Sequence, residues 1–189
     1  MNGKVYMFKQ KFSMITGAVA LAALALTNPM ARAADGPSDP QIVGIVLAAD
    51  QIDIDYGKIA LAKSKSKTVR EFAQRMVTDH SAVQQSVIGL AAKLGVTAAD
   101  SPTSDGLKSG ARDITAKLNS LKGKEFDKFY IDNEVSYHHT VNGAVADVLI
   151  PNAQNSELKS ALEGAKPLFL KHEEHARMVQ SGRATMAHK

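Results

Sequence analysis

Apolar residues recur every three or four positions along four long segments of the chain, which is the spacing of one face of an α-helix. The first predicted helix begins at Pro40, with Asp39 as its N-cap, and runs to about Ser64. The second opens at a capping box over Thr68–Glu71 and ends at Gly95, a residue that favours helix termination. Both segments therefore predict amphipathic helices.

The second half of the chain repeats this pattern. A third helix is predicted from Lys124 to the residue before Pro151, and a fourth from a cap at Ser156 to about residue 181. Pro167 should kink the fourth helix, because proline removes a backbone hydrogen bond and clashes with the preceding turn. The connection over residues 96–123 is predicted as loop from Val96 to Gly110, followed by a short helix over 111–121.

Four amphipathic helices without strand-like alternation predict an all-α, four-helix bundle over residues 40–181. The short joints at 64–68 and 150–156 make two antiparallel helix pairs. The connection over 96–123 is long enough to cross the bundle, which favours a ferritin-like, up-down-down-up arrangement with a crossover between helices 2 and 3. A simple up-and-down bundle is the alternative.

Ionisable residues interrupt the apolar face of all four predicted helices. At a rise of about 1.5 Å per residue they fall in one layer near the middle of the bundle. This layer comprises Asp53, His80, Glu134, His138 and His172. Buried charge is costly unless it is paired or binds a ligand. One interpretation is a structural polar network that fixes the register of the helices. The other is a site for a divalent transition metal, since imidazole and carboxylate groups bind zinc, iron, manganese and copper.

Further residues refine the metal interpretation. Asp79 could hydrogen-bond an imidazole from outside the layer. His175 could join the layer or lie at its edge, whereas His139 should be exposed. A di-iron carboxylate site is disfavoured because the chain has no Glu-x-x-His motif. No catalytic residues can be assigned, since the sequence contains neither a phosphate-binding glycine loop nor an ordered Ser-His-acid set.

The first 33 residues have the features of a cleavable signal peptide. A basic start is followed by a short apolar run, and the small-x-small triplet Ala31–Ala33 places the predicted cut before Ala34. A polar lead-in (34–39) precedes the bundle, and 182–189 form a tail. These features predict a periplasmic or secreted protein without a transmembrane segment in its mature part.

Removing the signal changes the charge balance. Four of the 23 basic residues and none of the 19 acidic residues lie in residues 1–33, so the mature part carries 19 of each. This balance gives no basic patch for nucleic acid. The absence of cysteine excludes disulfides, thiolate metal ligands and cysteine nucleophiles.

Several motifs occur in an order that resembles the bacterial family called domain of unknown function 4142. Two motifs contribute most to this resemblance, namely Met-Val-x-Asp-His and Phe-Asp-x-x-Tyr. The matching stretches are Asp53–Ala60, Phe72–Ser81, Phe126–Tyr130, His138, and Pro167 followed by His172. The resemblance implies an exported, ferritin-like helical domain, and it supplies no activity. The family usually has glutamate where this chain has Asp53, and its members are often labelled outer-membrane proteins.

Three hypotheses follow. The first is a periplasmic or secreted binding protein, or an envelope- or stress-associated protein, without catalysis, since the exported helical domain has no recognisable catalytic set. The second is a metalloprotein that uses the layer of histidines and carboxylates. The third is a helical module that associates with itself. The sequence leaves the ligand, an envelope partner and self-association open.

Overall fold

The computed structural model describes residues 36–183, and within that range the chain is helical without strands. The predicted signal peptide and the end of the predicted tail lie outside the described residues. No described helix combines the length and the apolar character needed to cross a membrane. The helices are α1 (Asp39–Lys63), α2 (Lys67–Leu94), α3 (Pro102–Ser120), α4 (Gly123–Ala144), α5 (Ile150–Asn152) and α6 (Ser156–Gln180).

The start of α1 differs from the prediction that Asp39 is its N-cap. Ser38 occupies that position, and its backbone amide donates to Oε1 of Gln41 at 3.0 Å. The carboxylate of Asp39 accepts hydrogen bonds from the backbone amides of Gln154 and Asn155 instead, at 2.8 and 2.9 Å. Asp39 therefore fixes the start of α1 to the segment that leads into α6.

Two other predicted caps are displaced by one or two residues. The N-cap of α2 is Ser66 and not Thr68, and the N-cap of α6 is Asn155 and not Ser156. In both cases the side-chain oxygen of the actual cap accepts a backbone amide of the first turn, which satisfies a donor that the helix leaves free. The predicted end of α2 is confirmed, since Gly95 adopts the left-handed conformation with φ of 65°.

The prediction that Val96–Gly110 is loop is wrong, because α3 already begins at Pro102. Ser101 and Ser104 form a capping box at this start: the amide of each residue donates to the side-chain oxygen of the other. Proline is well suited to the first helical position, where its missing amide proton costs no hydrogen bond. These capping interactions offset the low helix propensity of the two glycines in α3.

The third predicted helix continues past its expected end before Pro151. After α4, residues Val145–Leu149 form a π-helical turn, and α5 follows and contains Pro151. Such wide turns interrupt α-helices at single points and are frequent near functional sites. Helix α6 continues through Pro167 without a break, and the kink at this residue stays a prediction.

Side-chain contacts define the direction of the long helices. Helices α2 and α6 are antiparallel, because Lys93 near the end of α2 pairs with Glu157 at the start of α6, whereas Phe72 near the start of α2 contacts His175 near the end of α6. The joint of three residues between α1 and α2 also makes those two helices antiparallel neighbours.

Helices α1 and α4 are antiparallel as well. The start of α1 meets residues 154–155, beyond the end of α4, through Asp39, and Tyr56 in the second half of α1 contacts the ring of Tyr137 at 6.1 Å. Helix α4 therefore runs in the same direction as α2. This confirms the up-down-down-up topology with a crossover and excludes the simple up-and-down alternative.

The crossover follows α1 along its length. Its first part meets the start of α1, where the amide of Ala99 donates to the carbonyl of Pro40 at 2.9 Å. At the other end of α1, Nζ of Lys63 donates to the carbonyls of Leu118 and Asn119 at 2.7 and 2.6 Å. Helix α3 thus covers one side of α1 and returns the chain to the end of the bundle where α4 begins.

Two apolar clusters form the core, one toward each end of the bundle. One contains Tyr56, Phe72, Met76, Phe126 and Tyr130, and the other contains Ile42, Val46, Leu149, Leu158 and Phe169, each with further neighbours. On α2 and α6, the buried histidines His80 and His172 lie between residues of the two clusters, and on α1 and α4 the buried acids and His138 lie where the two clusters meet. The polar layer is therefore enclosed by apolar side chains on both sides.

Candidate metal centre

The polar layer assembles as the sequence predicts. Its members are Asp53, His80, Glu134, His138 and His172, and none is more than 3% exposed. Two overlapping groups have potential ligand atoms that all lie within 4.8 Å of one another: the three histidines, and Asp53 with Glu134 and His138. His138 belongs to both groups: its Nε2 faces Asp53 and His80, and its Nδ1 lies 3.5 Å from Oε2 of Glu134.

Close packing of α1 on α2 brings two of these residues together. A Cβ atom at Gly57 would lie 2.8 Å from Cγ2 of Val77 and 3.1 Å from the carbonyl of Ala73, so a larger side chain would push the helices apart. One turn before Gly57, Asp53 faces α2 at this narrow interface. Its Oδ2 lies 2.7 Å from Nε2 of His80.

A second acid holds the other side of the His80 ring. Nδ1 of His80 lies 2.8 Å from Oδ1 of Asp50, and both side chains are buried. The ring also stacks on Phe169, with centroids 5.4 Å apart and planes inclined by 7°. The sequence analysis missed Asp50, although it lies three residues before Asp53 and therefore on the same helix face.

His138 has one ring nitrogen directed at its own helix and one directed at the layer. Nδ1 lies 3.0 Å from the carbonyl oxygen of Glu134, which can only accept, so Nδ1 carries the proton of this hydrogen bond. Nε2 lies 3.3 Å from Oδ2 of Asp53 and 3.4 Å from Nε2 of His80. In the neutral imidazole, Nε2 of His138 therefore presents a lone pair to these two atoms.

His172 repeats this arrangement from α6. Nε2 lies 2.9 Å from Oδ2 of Asp79, which confirms the predicted hydrogen bond from outside the layer. Its Nδ1 is buried and has no hydrogen-bond partner within the described chain. The His172 ring lies close to the other two imidazoles, with centroids 5.0 Å from His80 and 5.4 Å from His138.

The three imidazoles thus share one pattern. Each has one nitrogen on an oxygen acceptor at the outside of the cluster, namely Asp50, the Glu134 carbonyl or Asp79. The remaining nitrogens are Nε2 of His80, Nε2 of His138 and Nδ1 of His172. Metal-binding histidines have this organisation, because the outer hydrogen bond fixes the tautomer and orients the ligand nitrogen.

Electrostatics place a proton on His80. Burial opposes charge on this imidazole, but Asp53 and Asp50 outweigh it and raise the pKa of His80 to about 10. Burial also opposes ionisation of Asp53, yet His80 and His138 hold the pKa of Asp53 below its usual range. Asp53 and His80 therefore form a buried ion pair at neutral pH.

The other groups of the site are held neutral. Burial lowers the pKa of His138, and it lowers the pKa of His172 to about 4 despite the hydrogen bond with Asp79. Burial and the neighbouring Asp53 carboxylate raise the pKa of Glu134 well above its usual value. The site consequently favours the protonated form of Glu134 beside the Asp53–His80 pair.

Two further histidines lie outside the cluster. His139 has 75% of its side chain exposed, as predicted, and its Nδ1 lies 3.2 Å from Oε1 of Glu173. His175 is half-buried, and its ring contacts Phe72 at 5.1 Å. His175 therefore does not join the layer, and it packs against the apolar cluster that contains Phe72.

A comparison with known families agrees with the resemblance carried by the sequence motifs. The family described as "Domain of unknown function (DUF4142)" matches residues 24–179. The chain belongs to this family. No curated protein and no solved structure matches the chain. Membership in DUF4142 names no ligand or activity, so the chemistry of the site has to be inferred from its geometry.

Proposed function

We propose that this DUF4142 protein is an exported protein that binds one divalent transition metal ion in the middle of its bundle. Nε2 of His80, Nε2 of His138, Nδ1 of His172 and the Asp53 carboxylate are the ligands, with Glu134 beside them. The observation that carries the proposal is the orientation of the three imidazoles by outer acceptors. A purely structural network does not require that each of the three rings keep its second nitrogen, here called the inward nitrogen, for a common ligand.

The distances from Nε2 of His138 to two of the other proposed ligand atoms suit tetrahedral coordination. Zinc–nitrogen bonds of about 2.0–2.1 Å place the ligand atoms of a tetrahedron about 3.3–3.4 Å apart. Nε2 of His138 lies 3.3 Å from Oδ2 of Asp53 and 3.4 Å from Nε2 of His80. The distance of 2.7 Å between Oδ2 of Asp53 and Nε2 of His80 is shorter, because the carboxylate attracts the imidazole ring and the proton that this ring carries. A metal ion replaces that proton and moves them apart by about half an ångström.

The ligand set favours a metal of intermediate softness. Imidazole suits zinc, copper, iron and nickel, whereas calcium and magnesium prefer a shell of oxygen atoms. A +2 ion also neutralises the charge that Asp53 and a deprotonated Glu134 together bring into the core. Zinc is therefore the first metal to test, followed by copper and iron.

The surroundings favour binding over turnover. The proposed ligands and Glu134 are almost fully buried, and apolar clusters enclose them. Four protein ligands complete a tetrahedral shell, as in structural zinc sites, whereas catalytic sites keep a position open. In this proposal the protein acts in the periplasm or outside the cell, as the predicted signal peptide suggests.

The alternative is a polar network without metal. The short contact between Asp53 and His80, together with the raised pKa of His80, supports it, since protonation alone satisfies these two groups. Such a network fixes the register of four helices at some cost in stability. Metal content separates the two functions directly.

The test compares neighbouring histidines. Protein purified without chelator is analysed for bound metals, and metal-depleted protein is titrated with Zn²⁺, Cu²⁺ and Fe²⁺. His138→Ala removes a proposed ligand, and His139→Ala removes the exposed histidine next to it as a matched control. We expect His138→Ala to weaken zinc binding at least a hundredfold and His139→Ala to leave it unchanged.

X-ray absorption of the zinc-loaded protein supplies an independent readout, with a histidine-rich shell of about four nitrogen and oxygen ligands expected. Protein that contains no metal and takes none up in titration contradicts the proposal. Equal affinities of the two variants also contradict it, because binding would then lie elsewhere.

A further inference from the structure

A cavity lies between α2 and α6, next to the polar layer. Its volume is about 420 Å³, which is within the range of small-molecule sites. The α2 side of the cavity is formed by one helix face, since its residues are spaced by three and four: Asp79, Ala82, Val83, Ser86 and Val87. Helix α6 supplies the opposite wall, and Val46 of α1 also lines the cavity.

Small side chains keep this cavity open. Ala82 and Ser86 on α2 face a wall of α6 that contains Ala161, Gly164 and Ala165. The longer apolar residues beside them, including Leu162 and Val87, line the rest of the cavity. The space is thus a consequence of residue size at facing positions of two packed helices.

One end of the cavity adjoins the histidine cluster. Asp79 lines the cavity and also accepts the hydrogen bond from Nε2 of His172 at 2.9 Å. Phe169 lines it too, and the same ring stacks on His80. The side chain of Asp79 is 27% exposed, so its carboxylate is accessible in a way that the buried acids are not.

Charge and polarity select a class of ligand. Among the residues that line this cavity, Asp79 is the acidic one, and no lysine or arginine accompanies it. Most of the remaining lining is apolar. A ligand that matches both features has a positively charged group for Asp79 and a hydrocarbon body for the space between α2 and α6.

We propose that the cavity between α2 and α6 binds a small organic cation with an apolar body, whose ammonium group pairs with Asp79. The inference is separate from metal binding, because it requires only Asp79 and the cavity. The same carboxylate holds His172, so an occupant shares Asp79 with the histidine cluster. The cavity is therefore a ligand site in contact with the candidate metal centre.

The test uses three probes of equal chain length and different charge: hexylammonium, hexanol and hexanoate. Each is titrated into purified protein in the presence of chelator, and backbone amide chemical shifts report binding. We expect hexylammonium to bind at least fivefold more tightly than hexanol, and hexanoate to bind most weakly. Shifts should concentrate on residues of α2 and α6 around Asp79.

Two variants test the charge of Asp79 and the volume of the cavity separately. Asp79→Asn should reduce the affinity for hexylammonium to that for hexanol. Gly164→Leu should abolish binding of all three probes by filling the cavity, and it should fold, because a Cβ at Gly164 meets no atom within 4 Å. Gly143→Leu is the matched control: Gly143 is also helical, also has open space around it, and does not line this cavity.

Three results overturn the inference. The first is equal affinity for the three probes, which would show that Asp79 selects nothing. The second is binding that survives Gly164→Leu, which would place the probe elsewhere. The third is no shift at all with hexylammonium at millimolar concentration. None of these results bears on zinc binding, since the measurements are made on metal-free protein.

Discussion

Oδ2 of Asp53 lies 2.7 Å from Nε2 of His80, so two of the proposed ligands form an ion pair in the metal-free protein, with the proton carried by the His80 ring. Because the pKa of His80 is raised to about 10, this proton is present throughout the neutral range and a metal ion must displace it. We predict that zinc affinity rises about tenfold per pH unit between about pH 6.5 and 8.5 for one displaced proton. Competition titrations over this range measure the slope. Calorimetry in buffers of different ionisation enthalpy counts the protons released, and a dissociation constant independent of pH contradicts the displacement.

Asp50 tests the importance of the outer hydrogen bonds. Asp50→Asn preserves the size of the side chain but removes the charge that holds Nδ1 of His80. Loss of such an outer carboxylate typically weakens metal binding about 10–100-fold, and we predict a loss in this range for zinc. Asp55→Asn is the control, since Asp55 is an exposed acid on the same helix. Equal zinc affinities of the two variants would show that Asp50 does not support the site.

Glu134 tests the protonation state of the metal-free core. Burial and the Asp53 carboxylate raise its pKa well above the ordinary value of 4.5, near which it ionises in the unfolded chain. Glu134→Gln removes the group whose charged form burial disfavours, so we predict that metal-free protein gains stability at pH 7, by about 1.4 kcal/mol for each unit by which the folded-state pKa exceeds the ordinary value. The gain should disappear near pH 4.5, where the unfolded wild-type chain also becomes protonated. Urea unfolding at both pH values measures the effect, and a loss of stability at pH 7 contradicts the assignment.

His172 should make the metal-free protein sensitive to acid. Its pKa is about 4 in the folded state and 6.5 as the ordinary value, so the unfolded state binds more protons between these limits. The corresponding stability is present above pH 6.5 and is lost as the pH falls toward 4. Glutamine at position 172 cannot be protonated. As the pH falls from 6.5 to 4, we predict that the free energy of unfolding of His172→Gln decreases by on the order of 2 kcal/mol less than that of the wild type. Urea unfolding of both proteins at several pH values tests this, and parallel pH profiles argue against it.

The helical pattern predicts most of the fold because the apolar stripes of the long helices are regular. The missed part of α3 has Gly106 and Gly110 in a polar setting, which lowers helix propensity. The start of α3 depends on the serine capping box around Pro102. Packing on α1 then stabilises the helix, because its intrinsic helix propensity is low. The π-helical turn after α4 has no equivalent signal in the spacing of residues.

The depth of the polar layer also follows from the sequence, since helix rise and helix length place the ionisable residues at similar heights. Asp50 could have been found in the same way, from its spacing to Asp53. The choice of ring nitrogens could not, because it depends on which oxygen each imidazole meets across the helix interface. The contact of His172 with Asp79, for example, arises only when α2 and α6 are packed together.

Each of the four long helices supplies at least one member of the proposed metal centre. An ion bound there links four chain segments that are far apart in sequence, and the buried ligands leave it no direct exit. The dissociation rate of the ion should therefore depend more on transient local opening of the helix bundle than on the strength of the individual coordination bonds. A protein of this kind would retain its ion long after the surrounding solution has lost it, and would take up a replacement mainly while folding.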